Sequence, residues 1–471
     1  MTVEEAREIL AKHGQSHVLA FYDKLQPHEQ GALLEQIASM DFGALTQMQA
    51  KLAEGDASGE HAPVEIAPAS VLELEEVQRR AAASLDEGAA ALRAGRVGVL
   101  LVAGGQGSRL GFEGPKGAYE IGPVSGASLF EIHARKILAL ERKYEAEIPF
   151  YIMTSLANDA DTRAFFVAHA YFGLAPERVW FFSQGMWPAL SEEGKLMLEA
   201  PGRIFMNPDG HGGTIRALDV NGMFADMDQR GVDTLFYFQV DNPLVEVADP
   251  VFIGLHLAEH ADVSVKVCAK RDAGEKLGAV AIRDGRACIV EYSELTPEQM
   301  AAKGPDGRLR LLYGSVAIHV FDVAFLKQCA KRPMLLHLAH KQVPYVDEAG
   351  NAIKPEQPNA WKFEKFIFDV LPDADKVLHV AFDRALEFSP VKNAEGEDSP
   401  ATTQRDMMRK FAGWMECCGV AVARDAAGEP RYKIEIDPCY ALSAEELGQR
   451  LDASFRWDAD LLLAEGEEDA G

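Results

Sequence analysis

Apolar positions recur along this chain in two different rhythms. In the first fifty or so residues they fall at three- and four-residue steps: Ile9 and Leu10, then Val18, Phe21 and Leu25, then Leu33, Leu34, Ile37 and Met40 after Pro27. That spacing predicts helices with one buried face. Gly55 to Pro68, GDASGEHAPVEIAP, interrupts it with Gly, Pro and small polar residues and reads as an extended linker. A helix over Leu72 to Ala94 follows. From Arg96 the rhythm changes, and unbroken aliphatic runs alternate with helical ones. The strands are Val97 to Val102, Pro149 to Thr154, Val179 to Phe182 and Leu235 to Val240; the helices are Ser128 to Tyr144 and Asp159 to Tyr171. Runs without polar alternation suit strands buried on both faces, so the pattern predicts a doubly wound, Rossmann-like α/β domain.

Beyond Ser264 the pieces become irregular. Val263 to Lys270, Gly278 to Ile282, Cys288 to Tyr292 and Gly314 to Phe321 are strand-like, giving a mixed sheet. Phe363, Phe366, Ile367 and Val370 are spaced as a buried helix face. After about residue 401 a helix is followed by strand-like Val420 to Ala423 and Tyr432 to Ile436, and AEGEEDAG closes the chain as a disordered acidic tail. The expected organisation is a helical N-terminal region and linker over 1–95, a catalytic domain over 96–400, and a small α+β domain over 401–471.

Composition narrows the function. A formal net charge of −26 over 471 residues excludes a nucleic-acid partner, because a phosphate backbone needs a basic footprint. No apolar run is long enough to span a bilayer, and MTVEEAREILAKHG lacks the basic and apolar regions of a signal peptide. A cytoplasmic protein is expected, as a monomer or weak homo-oligomer. The six cysteines form no C-x-x-C pair and no zinc spacing, so they read as reduced thiols.

Chemistry concentrates in Leu100 to Gly117, LLVAGGQGSRLGFEGPKG. Glycines at 104, 105 and 107 let backbone N–H groups converge on an anion, and Arg109 and Lys116 add full charge. The loop fits neither the dinucleotide fingerprint nor the P-loop, since Leu110 stands where the former needs glycine and no G-K-[ST] follows. It reads as a triphosphate cradle, against the plainer alternative of a tight strand-to-helix turn. Asp241, at the end of LFYFQV, is positioned to hold a divalent ion or merely to cap a turn. Glu291 in EYSEL is a candidate for sugar hydroxyls or an exposed strand-end charge. Lys392 in EFSPVKN is a candidate phosphate contact.

The ordered blocks LLVAGGQGSRLG, PKG, FFSQGMWPAL, NPDGHGG, QVDNPLVEVADP, EYSEL, PYVD, PNAWKFEKFIFDV and EFSPVKN resemble those of the eukaryotic-type UDP-N-acetylglucosamine pyrophosphorylases, within the UDP-glucose pyrophosphorylase family. The resemblance implies a GT-A-like nucleotidyltransferase domain that makes UDP-sugar and pyrophosphate from UTP and a sugar 1-phosphate with Mg²⁺. It implies that Ala103, Gly104 and Gly105 hold the nucleotide by backbone contacts, that Gln184, Gly210 and His211 lie at the uridine, and that Arg109, Lys116 and Lys392 hold the phosphates. Asp241 would hold the metal, and Glu291, Gly278 and Asn242 would line the sugar.

Two departures bear on the sugar. The family's G-N-G-G is Gly210-His211-Gly212-Gly213 here, and its G-N-I-A-N-H is Gly314-Ser315-Val316-Ala317-Ile318-His319, without either asparagine. N-acetylglucosamine 1-phosphate is the expected acceptor. Glucose 1-phosphate or a broader range of sugar 1-phosphates is the alternative, and a nucleotide-sugar binding protein without turnover is a remote one.

Overall fold

The structure is a computed structural model that describes residues 1–53, 65–451 and 455–466. The expected linker over Gly55 to Pro68 lies mostly outside the described residues, as does the end of the acidic tail. The chain groups into two units, each built from discontinuous segments: Met1–Val64 with Gln184–Thr214 and Pro333–Asp369, and Glu65–Ser183 with Ile215–Arg332 and Val370–Gly471.

The larger unit is built on one mixed sheet. Its strands are β1 (Ile66–Pro68), β2 (Val97–Val102), β3 (Phe150–Thr154), β4 (Val179–Ser183), β5 (Thr234–Gln239), β6 (Val263–Ala269), β7 (Ala279–Arg283), β8 (Arg286–Val290), β9 (Tyr313–Asp322) and β10 (Val377–Ala381). β4, β3, β2 and β5 lie side by side and parallel, and β9 joins β5 antiparallel. That is the doubly wound order, with its switch point between β2 and β5. Both strands are buried almost throughout, which their unbroken apolar sequences require.

Helix Leu129–Tyr144 packs on this sheet through Phe130, Ala134 and Ile137, and Ser128 caps its N-terminus by accepting from Glu131 N. Helices Leu74–Arg93 and Pro250–Ala258 touch backbone to backbone. A Cβ on Gly88 would stand 1.9 Å from Pro250 O, and one on Gly254 would stand 1.8 Å from Ser84 O. The C-terminal part of this unit holds helix Pro400–Cys417, with a Ser399 capping box, and the parallel pair Ile434–Ile436 and Leu461–Leu463, closed over Met415, Leu447 and Trp457.

The smaller unit gathers helices Val3–Lys12, Pro27–Ser39 and Phe42–Ala53 around Leu10, Leu33, Ile37, Leu190, Ile204 and Phe363. Buried Gln15 joins its segments, donating to Gly194 O at 2.9 Å and accepting from Leu196 N at 2.8 Å. Three expectations are corrected. The apolar spacing from Phe363 to Val370 is not one helix face: Ala360–Glu364 is a strand between His337–Lys341 and Leu190–Ser191, and the short 3₁₀ helix Ile367–Asp373 follows. In the larger unit the helix after β3 stops at Ala168, because Ala170, Tyr171 and Phe172 all turn to positive φ. Val420 to Ala423 forms no strand either.

Candidate active site

The glycine-rich loop leaves β2 at Ala103 and is tied back through its carbonyls. Asn158 Nδ2 donates to Ala103 O at 2.9 Å and Gly105 O at 3.2 Å, and Ser155 Oγ donates to Gly104 O at 2.8 Å. With the carbonyls held on one side, the backbone N–H groups of Gly104 and Gly105 are left to meet an anion. Sequence reasoning missed Ser155 and Asn158. The signal was present in Ser-Leu-Ala-Asn-Asp ahead of helix Asp159–Ala168, where Asn158 Oδ1 accepts from Ser155 N at 2.8 Å and closes the turn. Within the loop Gly107 N donates to Gly114 O, and a Cβ on Gly107 would strike the Phe112 ring at 2.6 Å. Glycine is required there by contact, not by dihedral angle.

Arg109 stands exposed on the short turn Ser108–Leu110. Lys116 follows Pro115 and points to the neighbouring strand, its Nζ donating to Asp241 Oδ2 at 3.0 Å. The two side chains are only 16% and 14% exposed. Burial by itself pushes the Asp241 carboxyl up, but the charges of Lys116 and Lys392 and the Lys116 hydrogen bond bring it below the ordinary carboxylate range. Asp241 is therefore an anion with two cations in reach.

Lys392 is brought there by the backbone. Val391 N donates to Asp241 O at 2.8 Å, so the segment carrying Lys392 runs beside the end of β5. Asn242, expected at the sugar, uses its carboxamide to hold that segment: Nδ2 donates to Glu387 O at 2.7 Å, while Oδ1 accepts from Ser389 N at 3.1 Å. Underneath, Lys266 Nζ donates to both oxygens of Glu387 at 2.7 and 2.6 Å and to Asp249 Oδ2 at 2.9 Å. Among the described residues Glu246, Asp249 and Glu387 form the one grouping of three side chains with metal-ligand spacing. Lys266 bonds two of the three, and Glu246 stands near Lys410 and Lys136, so lysine ammonium groups answer the charge of the grouping.

At the other edge, β7 and β8 carry Gly278 and Glu291 at their ends. A Cβ on Gly278 would stand 2.6 Å from Ile289 Cγ2 and 3.0 Å from Glu291 Oε1, so the missing side chain makes room for that carboxylate. Burial pushes the ammonium of Lys270, which the sequence did not single out, below its ordinary range, offset only in part by the charges of Glu275 and then Glu291. On β9, Ala317 takes φ 59° beside a register shift against β6. Non-glycine residues adopt that conformation where the surrounding fold imposes it. Ile318, at one lost asparagine, is buried in the sheet core, while Ser315 replaces the other and is half-buried.

In the smaller unit the turn Asp209–Gly213 is pinned to Lys365–Ile367. Lys365 N donates to Asp209 O, Gly212 N to Lys365 O, and Ile367 N to His211 Nδ1 at 3.1 Å. Gly210 needs φ +84°, and a Cβ there would meet Lys365 O at 2.5 Å. His211 lies over the Phe366 ring at 5.3 Å, and burial first, then the neighbouring His337, pushes its pKa down to about 4. Its ring is neutral, with Nδ1 accepting. Gln184 is buried in the same unit, and the Asp209 carboxyl, wedged where Cβ atoms on Gly185 and Gly213 would fall, is raised by burial to about 6.

These observations agree with what the chain is similar to. Residues 51–398 match the sequence model of UTP–glucose-1-phosphate uridylyltransferase. The UDP-N-acetylglucosamine pyrophosphorylase of Saccharomyces cerevisiae is 38% identical over 376 residues, covering 77% of each chain. The UDP-N-acetylhexosamine pyrophosphorylase-like protein 1 of Xenopus tropicalis is 38% identical over 448 residues, 91% of this chain and 88% of that one. A crystal structure of the uridine diphosphate N-acetylglucosamine pyrophosphorylase of Trypanosoma brucei superposes with a TM-score of 0.82 over 98% of both chains, at 25% identity. With residues 51–398 matched by the family model and relatives at 38% identity over most of its length, the chain belongs to the UTP–glucose-1-phosphate uridylyltransferase family.

Proposed function

We propose that this uridylyltransferase joins UTP to N-acetylglucosamine 1-phosphate, releasing pyrophosphate and UDP-N-acetylglucosamine. The observation that carries the reading is the Lys116–Asp241 pair at the ends of adjacent parallel strands, with Lys392 brought alongside by the Val391–Asp241 backbone bond. Cations and an ionised carboxylate at a strand switch point suit the meeting of two polyphosphorylated reactants.

The acceptor phosphate is largely dianionic near neutral pH, since its second pKa is about 6, so the chain need supply no general base. Its task is to overcome repulsion and hold the attacking oxygen in line with the α-phosphorus. In this reading Lys392 holds the sugar phosphate, while Arg109, Lys116 and the loop N–H groups of Gly104 and Gly105 take up charge on the departing pyrophosphate. Gln184 and Gly210 read the uracil, and Glu291, with room from Gly278, accepts from sugar hydroxyls.

Asp241 suits Mg²⁺, which is held through one or two carboxylates with substrate phosphates completing its shell. Bound there, the ion would supply a positive charge shared by phosphate oxygens. Asp241→Asn should shift the Mg²⁺ concentration for half-maximal rate upward by tenfold or more; an unmoved Mg²⁺ dependence rejects the assignment. A cytoplasmic setting is supported by six free thiols, four of them buried. No helix among the described residues is long and apolar enough to cross a membrane.

The test of the reaction is pyrophosphate release from UTP with N-acetylglucosamine 1-phosphate and glucose 1-phosphate in parallel. A tenfold or greater preference for the acetamido sugar in kcat/KM, about 1.4 kcal/mol, is expected. A preference for glucose, or a tie, would trace the substitutions at Ser315 and Ile318 to a reshaped sugar site. No pyrophosphate from either sugar would reject the enzyme reading.

A further inference from the structure

Within the larger unit three lysines face three carboxylates: Lys136, Lys266 and Lys410 against Glu246, Asp249 and Glu387. The six charges balance, so the group brings no net charge to the site above it, and what it can supply is position. Lys266, on β6, is its most enclosed member, with a side chain 3% exposed.

Lys266 ties three stretches of chain together. All three of its N–H groups are used, two on the oxygens of Glu387 and one on Asp249 Oδ2. Asp249 Oδ1 in turn accepts from Val251 N at 2.9 Å and starts the helix Pro250–Ala258. Glu387 closes the single turn Arg384–Glu387, five residues ahead of Lys392, and its backbone carbonyl accepts from Asn242 Nδ2. The side chain of Glu387 thus hangs on β6, while its main chain hangs on the residue next to Asp241. The other two lysines hold the turn that follows: Lys136 Nζ donates to Val245 O at 2.8 Å, and Lys410 Nζ stands 3.4 Å from Leu244 O.

Burial alone would lower the Lys266 ammonium, but the charges of Asp249, Glu387 and Glu246 and the Glu387 hydrogen bond hold it above its ordinary range. The Phe252 and Phe382 rings lie 5.4 and 6.0 Å from Nζ, so little besides the carboxylates can balance it. A buried ion pair adds little stability over an apolar pair of the same volume, and its best-attested use is to fix one arrangement of the chain. Here the arrangement it fixes is that of the Lys392 segment against the end of β5.

We propose that Lys266 is a positioning residue for the uridylyl transfer, holding Glu387 so that Lys392 stands beside Asp241. It acts only through Glu387, whose displacement carries the Lys392 segment with it. Misplacing a group that holds a reacting phosphate by about 1 Å costs about 10²-fold in rate.

The test is a double-mutant cycle on the full chain, read as kcat/KM for N-acetylglucosamine 1-phosphate at saturating UTP and Mg²⁺. Lys266→Met and Lys392→Ala should each lower it at least tenfold. The combined variant should lie within threefold of Lys392→Ala alone, because placing a residue that is gone has no value. Since Lys392 is assigned to the sugar phosphate, UTP affinity by calorimetry should move less than threefold in Lys266→Met. Effects that multiply, UTP affinity falling in step with kcat/KM, or an undiminished kcat/KM in folded Lys266→Met overturns the role. Where Lys266→Met fails to fold, Glu387→Gln, which keeps the size and one acceptor, goes through the same cycle; a loss of at least threefold, absent on the Lys392→Ala background, is expected, and no loss overturns the role. The inference rests on the proposed uridylyl transfer. A wild-type chain that releases no pyrophosphate from either sugar removes both, while an active wild type with multiplying effects removes the positioning role alone.

Discussion

At the ends of β2 and β5 the chain gathers full charges, with Lys116 against Asp241 at 3.0 Å and Lys392 close enough to help hold that acid ionised. At the turn Asp209–Gly213 of the smaller unit it gathers almost none. There a neutral imidazole lies on a phenyl ring, a carboxyl is raised to about 6 by burial, and glycines touch neighbouring backbone. The first region acts through what its side chains carry, and the second through the space its residues leave empty. A charged site survives small shifts in position but not the loss of an ion. A close-contact site tolerates a change of charge better than an added methyl group.

The largest test of this contrast is Lys116→Ala. It should lower turnover by about 10²-fold or more, the scale of one lost transition-state donor, while the thermal midpoint moves little. Unchanged turnover in a folded variant would remove Lys116 from the chemistry. The converse variant is Gly212→Ala, whose Cβ would stand 2.6 Å from the backbone of Phe366. Main chain cannot step aside as a side chain can, so a stability loss of about 1–3 kcal/mol is expected by chemical denaturation. A neutral result would show that the turn and the Lys365–Ile367 segment move apart freely.

A smaller and more gradual effect separates the units by pH. Burial lowers His133 to about 3 and His256 and His379 to about 4 in the larger unit, and His211 to about 4 in the smaller. These rings are neutral when folded and gain a proton on unfolding below about 6.5. Their stabilising effect is thus complete above that pH and is lost as pH falls towards 4, by up to about 1.4 kcal/mol per pH unit for each ring. Thermal midpoints should fall between pH 6.5 and 4.5, more steeply for the unit with three such rings. A flat profile would mean that the rings are already protonated in the folded chain.

The same division governs what could be read from the sequence. β2 and β5 were legible because burial on both faces leaves no polar residue in Val97–Val102 and few in Thr234–Gln239. The acid was legible because it sits at the end of one of those runs, and Lys116 because it closes the glycine-rich loop; Lys392 lies in the separate EFSPVKN segment, which the Val391–Asp241 backbone bond brings alongside. The segment Ala360–Glu364 was not, because its strand character comes from pairing with His337–Lys341 and Leu190–Ser191, and no local rhythm records a partner so distant. Ser155 and Asn158 were passed over for a related reason. Ahead of a helix they look like ordinary capping residues, and only the fold shows that their side chains grip the glycine-rich loop.

The contact between helices Leu74–Arg93 and Pro250–Ala258 sets an order of events during synthesis. Ser84 and Gly88 meet Pro250 and Gly254 at backbone distance, so the early helix lacks its packing surface until the later one has left the ribosome. In the interval β2, β3 and β4 have already been made, and the β2 edge that takes β5 stands unpaired. The nascent chain therefore passes through a stage with an open parallel edge and an uncovered helix, the kind of surface on which chaperones act and aggregation begins. Slowing translation before the helix Pro250–Ala258 has emerged would lengthen that stage.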